Sequence, residues 1–201
     1  MTTRGGRWLA SALGVCLIGA NVAIKPGPEP AALRRTADSV RRGREWRGRV
    51  VPPADVARLD GGAIRIGAPG DELTALVFVT TWCDECANEL EEIRRYASRL
   101  RDEGNTLRVV AIDVQEDADR ARRFVKPSEP SEPSKLIDIM IGLDTSGDMM
   151  RAYEVRTFPT TVLIGRDRRA RLFNEGPLAN ADVVLDPIIR AEPGVTARPS
   201  R

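Results

Sequence analysis

The chain has 201 residues, 42% hydrophobic and 30% charged, with a net charge of +2, which suits one domain of ordinary size with material left over at its ends. That charge balance gives no reason to expect a nucleic-acid partner. Histidine is absent and cysteine occurs only at Cys16, Cys83 and Cys86, so a zinc ion would need carboxylates to complete its shell and no metal site is expected.

Arg4 and Arg7 precede an uncharged run of 17 residues, Trp8–Ile24, that ends at Lys25. Residues 1–25 read as a signal peptide or membrane anchor at the lower limit of length for spanning a bilayer. The small-residue pattern Ile18-Gly19-Ala20 is a weak cleavage site, so we favour an uncleaved anchor, with secretion after cleavage as the alternative. Cys16 follows the bulky Val15, which does not suit lipidation, and is read as an apolar filler. The charges nearest the run place the bulk of the chain on the extracytoplasmic side, and the arginines from Arg34 to Arg49 oppose this. Residues 26–50 are read as an Arg/Pro-rich tether: a solvated spacer, or a basic segment resting on anionic headgroups. A short helix around Ala31–Arg42 is compatible with either.

Globular sequence is expected over 51–191. Asp60-Gly61-Gly62 between alternating runs predicts a hairpin over Ala57–Ile66. The run Ala75–Thr80 predicts a strand, and Leu90, Ile93, Ala97 and Leu100 recur at helical spacing between Cys83 and Arg101. Leu107–Val114 reads as a buried parallel strand, and Glu116–Val125 as a helix. The Pro-Ser-Glu repeat over 126–135 reads as an exposed loop. After it come an apolar run (Ile137–Leu143), a helical stretch (Asp148–Glu154) and a hairpin (Thr160–Ile164 with Ala170–Asn174). A helix over Asn180–Ala191 follows, and residues 192–201 read as a flexible tail. This alternation implies an α/β fold with a mixed sheet covered on both faces.

Within this order, Trp82-Cys83-Asp84-Glu85-Cys86 joins a strand to a helix. Two cysteines three apart at a helix start can approach closely enough for a disulfide. The first lies where free backbone N–H groups and the helix dipole favour a thiolate. Half of a zinc knuckle and a pair of inert core thiols are the other readings. The position between strand and helix, flanked by Trp82 and two acids, favours an exposed redox pair.

Thr81-Trp82-Cys83-Asp84-Glu85-Cys86, with Phe158-Pro159-Thr160-Thr161 some seventy residues later, resembles the thioredoxin superfamily. The pattern is most similar to the membrane-tethered TlpA/ResA group of bacterial thiol–disulfide oxidoreductases. The early hairpin and the segment ahead of the proline strand fit that group, and the resemblance covers roughly residues 52–190. It implies a thioredoxin-like fold with an N-terminal hairpin extension and a central insertion. It further implies Cys83 as the nucleophile on a substrate disulfide, Cys86 as the resolving thiol, and no cofactor beyond this pair. Pro159 would be a cis-proline facing the cysteines, Phe158 would pair with the substrate backbone, and Trp82 would shape the docking surface. Phe158 equally suits plain core packing. The implied partners are protein disulfides, apocytochrome c or other exported proteins among them, and a membrane thiol that supplies electrons.

Three departures from the family pattern bear on the chemistry. Glu85 stands where many relatives carry proline, and Asp84 and Glu85 together set two negative charges beside Cys83. Those charges oppose the thiolate and predict a reducing pair, nearer thioredoxin than DsbA; the alternative is that both are solvated helix-start residues. Val77 occupies the strand position where thioredoxin has a buried proton-transfer acid, so that assistance must come from elsewhere, from water, or be absent. A thiol peroxidase does not fit, because no Pro-x-x-x-Thr-x-x-Cys pattern occurs. A Sco-type copper chaperone does not fit a chain without histidine. A thioredoxin-like module that binds or assembles a membrane complex without turnover is the remaining alternative.

Overall fold

The computed structural model describes residues 31–68, 72–124 and 139–196. The anchor or signal segment, Cys16 and the Pro-Ser-Glu loop lie outside the described residues. Among the described residues, no helix is long and apolar enough to cross a membrane.

The elements in chain order are α1 (Ala31–Trp46), β1 (Ala54–Arg58), β2 (Ala63–Ile66), β3 (Thr74–Val79), α2 (Asp84–Asp102), β4 (Arg108–Val114), α3 (Ala118–Phe124), β5 (Met140–Asp144), α4 (Asp148–Ala152), β6 (Thr160–Ile164), β7 (Ala170–Glu175) and α5 (Ala181–Arg190). The strands form one sheet in the order β2-β1-β5-β4-β3-β6-β7. β3, β4 and β5 run parallel. β6 is antiparallel to β3, and β1 to β5. All six residues of β3 are buried, as expected of a strand covered on both faces.

Each face of the sheet has its own core. On one, Val77 and Val79 pack with Leu90, Ile93, Tyr96, Ala97 and Leu100 of α2 and with Leu185 and Ile189 of α5. On the other, Leu76, Phe78, Val110 and Ile112 pack with Trp46, Met149 and Tyr153. The early hairpin forms as its sequence requires: Gly61 and Gly62 take φ values of 102° and 82°, which glycine adopts without steric cost. Asn180 caps α5 by accepting from the Val183 amide at 3.1 Å.

The tether expected over 26–50 needs correction. Its described part is α1, whose last turns are built into the domain. Trp46 is 1% exposed and is stacked between Tyr153 and Phe173, with centroids at 5.6 and 5.1 Å. The Arg49 guanidinium covers the same indole at 4.4 Å, a cation–π contact. Arg42 forms an ion pair with Glu175, both side chains almost wholly removed from solvent. Gly43 permits this close approach, since a Cβ there would meet the Phe173 carbonyl oxygen at 2.8 Å. Thus the domain begins within α1, ahead of Val51.

Its other boundary also extends past the expected one. Glu192 is buried and paired with Arg171. The Thr196 amide donates to Asn105 Oδ1 at 2.8 Å, which ties residues 192–196 to the end of α2.

Candidate active site

The carboxyl end of β3 runs into a turn, Thr80–Cys83, closed by the Cys83 amide donating to the Thr80 carbonyl at 3.2 Å. Cys83 is the N-cap of α2, and its side chain makes no capping bond. That leaves its sulfur beside the unpaired amides of the helix start. Cys83 and Cys86 are joined in a disulfide, with Cα atoms 5.3 Å apart. Cys86 is fully buried and Cys83 is 7% exposed. The pair is therefore less open than an exposed dithiol, with the neighbouring Trp82, 70% exposed, presenting the accessible surface. Among the described residues, no group of three or more potential ligands could hold a metal ion.

The second strand of the site comes from β6. Thr160 is in register with Phe78 of β3, which sets the preceding residues level with the Thr80–Cys83 turn. The Phe158–Pro159 bond is cis. Phe158 is half-buried, packs on both cores, and meets the Trp82 ring edge-on at 5.9 Å. The core packing considered for Phe158 is thus present, and its ring also touches the exposed Trp82. Pro159 is buried, and its carbonyl accepts the Gly176 amide at 2.8 Å. Asp84 and Glu85 occupy the exposed first turn of α2.

Two buried acidic features were not anticipated. Glu89, three residues past Cys86 on the same face of α2, is 3% exposed. Its Oε1 accepts the Thr161 hydroxyl at 2.7 Å and its Oε2 the Leu178 amide at 2.8 Å. Burial raises its pKa, and these two hydrogen bonds offset part of the rise. Thr161 is the cross-strand partner of Val77. A carboxyl group therefore reaches the neighbourhood of the strand position where Val77 has none, delivered by the helix.

The second feature is Asp113 on β4 with Glu116 just beyond it, 1% and 7% exposed. Glu116 accepts from both the amide and the hydroxyl of Thr81, each at 2.6 Å. Burial and the adjacent Glu116 push the Asp113 carboxyl up to about 7. A charged residue inside the apolar run Leu107–Val114 was the sequence signal for this pair, since unpaired Asp is almost never fully buried. For Glu89 the signal was an acid set into the apolar stripe of α2.

A disulfide at a helix start, opposed by a cis-proline strand and backed by buried carboxyl groups, on this seven-stranded sheet, defines a protein of the thioredoxin-like class. The chain belongs to the AhpC/TSA family, which residues 48–172 match. Among curated relatives, it is 25% identical over 120 residues to the thiol-disulfide oxidoreductase ResA of Bacillus thuringiensis subsp. konkukian, covering 60% of this chain and 64% of that protein. It is 26% identical over 121 residues to the sporulation thiol-disulfide oxidoreductase A of Bacillus subtilis, covering 60% and 68%. The chain thus spans a little under two thirds of the ResA protein it matches. A solved secreted Mycobacterium tuberculosis disulfide oxidoreductase, homologous to E. coli DsbE, superposes with a TM-score of 0.53 at 20% identity, covering 68% of this chain and 94% of that one.

Proposed function

We propose that this protein is a thiol–disulfide oxidoreductase of the cell envelope that reduces protein disulfides through Cys83 and Cys86. The observation that carries this reading is the Cys83–Cys86 disulfide at the start of α2, next to the exposed Trp82 that Phe158 meets. The activities named for ResA and the sporulation oxidoreductase support it.

In the reduced protein, Cys83 attacks one sulfur of a substrate disulfide as a thiolate. A mixed disulfide forms, and the first substrate sulfur leaves as a thiolate that takes up a proton. Cys86 then loses its proton and attacks the Cys83 sulfur, releasing the second substrate thiolate. Two electrons have passed to the substrate, and Cys83–Cys86 is left as the disulfide. Glu89, one turn along the helix from Cys86 and held by Thr161 and Leu178, is the group placed to accept the Cys86 proton. Trp82 and Phe158 form the rim on which the substrate chain lies, with the backbone of Phe158 pairing to it as an added strand. An external dithiol, of the membrane-thiol kind, returns the pair to its reduced form.

Residues 1–25 act in this reading as an N-terminal membrane anchor, with the domain on the extracytoplasmic side. Exported proteins with cysteine pairs, apocytochrome c among them, are its substrates. The test is equilibration of the full chain in defined thiol–disulfide buffers, followed by assay on a disulfide-bonded protein. A potential near thioredoxin's, with catalysed reduction, supports the reading. A potential near DsbA's reverses the direction of the reaction. A dithiol that forms no exchangeable disulfide leaves only a binding or assembly module.

A further inference from the structure

The Asp113 and Glu116 carboxyls lie beneath the redox loop and take no part in the exchange chemistry above. Glu116 grips Thr81 at two points, amide and hydroxyl, both at 2.6 Å. Thr81 is the second residue of the four-residue turn that the Cys83 amide closes on Thr80, so Glu116 fixes the turn that presents both Trp82 and Cys83. Asp113 lies on β4 in register with Val79, the last residue of β3, which sets it under the start of the same turn. Two buried oxygens here, Asp113 Oδ1 and Thr80 Oγ1, have no hydrogen-bond partner among the described residues.

We propose that Glu116 and Asp113 are positioning residues for the redox loop: Glu116 clamps Thr81, and a proton held between the two carboxyls keeps the clamp closed. Protonated Asp113 can donate to the neighbouring Glu116, leaving the Glu116 oxygens free to accept from Thr81. Deprotonated, it sets a second buried negative charge against Glu116, and the pair separates at the expense of the Thr81 bonds.

The charges around the pair favour the protonated form. Asp117 on the same loop adds to the repulsion. Asp144, at the end of neighbouring β5, is already engaged by the Met149 and Met150 amides at 3.2 and 2.8 Å. Glu89, facing β6 from α2, is engaged by Thr161 and Leu178. Burial first, then Glu116 and Asp117, raise the Asp113 carboxyl to about 7. The chain contains no histidine, so this pair supplies a neutral-pH ionisation that histidine would ordinarily provide. The inference rests on the oxidoreductase reading only for its consequence for rate.

The test is a pH titration of Trp82 emission in the oxidised full-length protein, isolated by difference against Trp82→Phe. Neither active-site cysteine titrates in that state. The expected result is one step near the Asp113 value of about 7, lost in Asp113→Asn and retained in Glu89→Gln. Reduction by dithiothreitol, expressed per reagent thiolate, falls several-fold across the same step in the wild type and is level in Asp113→Asn. Thr81→Ala, which leaves both carboxyls in place, has at low pH the slow rate that the wild type reaches only above the step.

A step that survives Asp113→Asn, a wild type with no step, or a Thr81→Ala protein reduced at the wild-type rate overturns the proposal. The emission step is read without turnover. Inactivity on protein disulfides would therefore remove the oxidoreductase reading and leave this one standing or falling on its own result.

Discussion

Thr161 and Glu89 meet across the gap between β6 and α2, with the threonine hydroxyl donating to Glu89 Oε1 at 2.7 Å. Because Thr161 is the register partner of Val77, the carboxyl lies beside the strand position that carries an acid in thioredoxin. In the proposed mechanism a helix residue takes the part of the missing strand acid. Glu89→Gln keeps the shape but cannot accept a proton, and general-base contributions are of order 10²-fold or more. We expect the resolving step to slow by about 10² at neutral pH with little change in the reduction potential. Stopped-flow decay of a preformed mixed disulfide measures this directly.

Asp84 and Glu85 should lower the reduction potential by opposing the Cys83 thiolate. Both are exposed, so solvent and salt screen them. Replacing them with Asn and Gln is expected to raise the potential by about 10–30 mV. The difference should shrink in high salt. Equilibration in thiol–disulfide buffers at two ionic strengths checks both points.

Asp113 also makes stability depend on pH. Its carboxyl rises from an ordinary 3.8 to about 7 on folding, so above pH 4 the folded state keeps a proton that the unfolded chain releases. The associated stability is complete below about pH 4 and is lost as pH rises through about 7. Asn at this position does not titrate. Between about pH 5 and 8, the stability of Asp113→Asn relative to wild type should therefore rise by roughly 2–3 kcal/mol. Urea unfolding at the two pH values measures the change.

Gly43→Ala offers a test of how α1 is seated. Alanine is the better helix former by about 1 kcal/mol, and a solvated helix would gain from the change. Here the added Cβ would meet the Phe173 carbonyl at 2.8 Å, so we expect a net loss of about 1–3 kcal/mol. Trp46→Ala, which empties the stack between Tyr153 and Phe173, should cost about 3–5 kcal/mol. A protein shortened to begin at Val51 loses both contacts and should melt well below the full chain. Thermal melts rank the three.

Much of this fold was legible because its sheet elements have clear patterns. The continuous apolar run of β3, the Asp-Gly-Gly turn and the helical spacing in α2 each specify one local structure. The Trp82–Cys86 segment and Phe158–Pro159 marked the site in the same way. The role of α1 was hidden by composition: one tryptophan and two glycines among seven arginines between Arg34 and Arg49 resemble a solvated stretch. What buries that stretch is a pair of partners more than a hundred residues away, Tyr153 and Phe173, together with Glu175. Glu89 and Asp113 escaped notice for a related reason. Their significance lies in partners contributed by other elements, Thr161 and Leu178 for one and Glu116 for the other.

The direction of α1 has a consequence for access. Arg42 lies against Glu175 at the end of β7, and Gly48 donates to Ala170 at its beginning, so the helix runs opposite to β7. Glu175 is in register with Thr160, next to Pro159. The eleven residues ahead of Arg42, Ala31–Arg41, therefore project about 16 Å beyond the cis-proline end. The chain enters the domain from the pole that carries the disulfide. A bulky group fixed at residue 31 would therefore lie at the same pole as the disulfide, where it is expected to slow reaction with large disulfide proteins more than with small thiols.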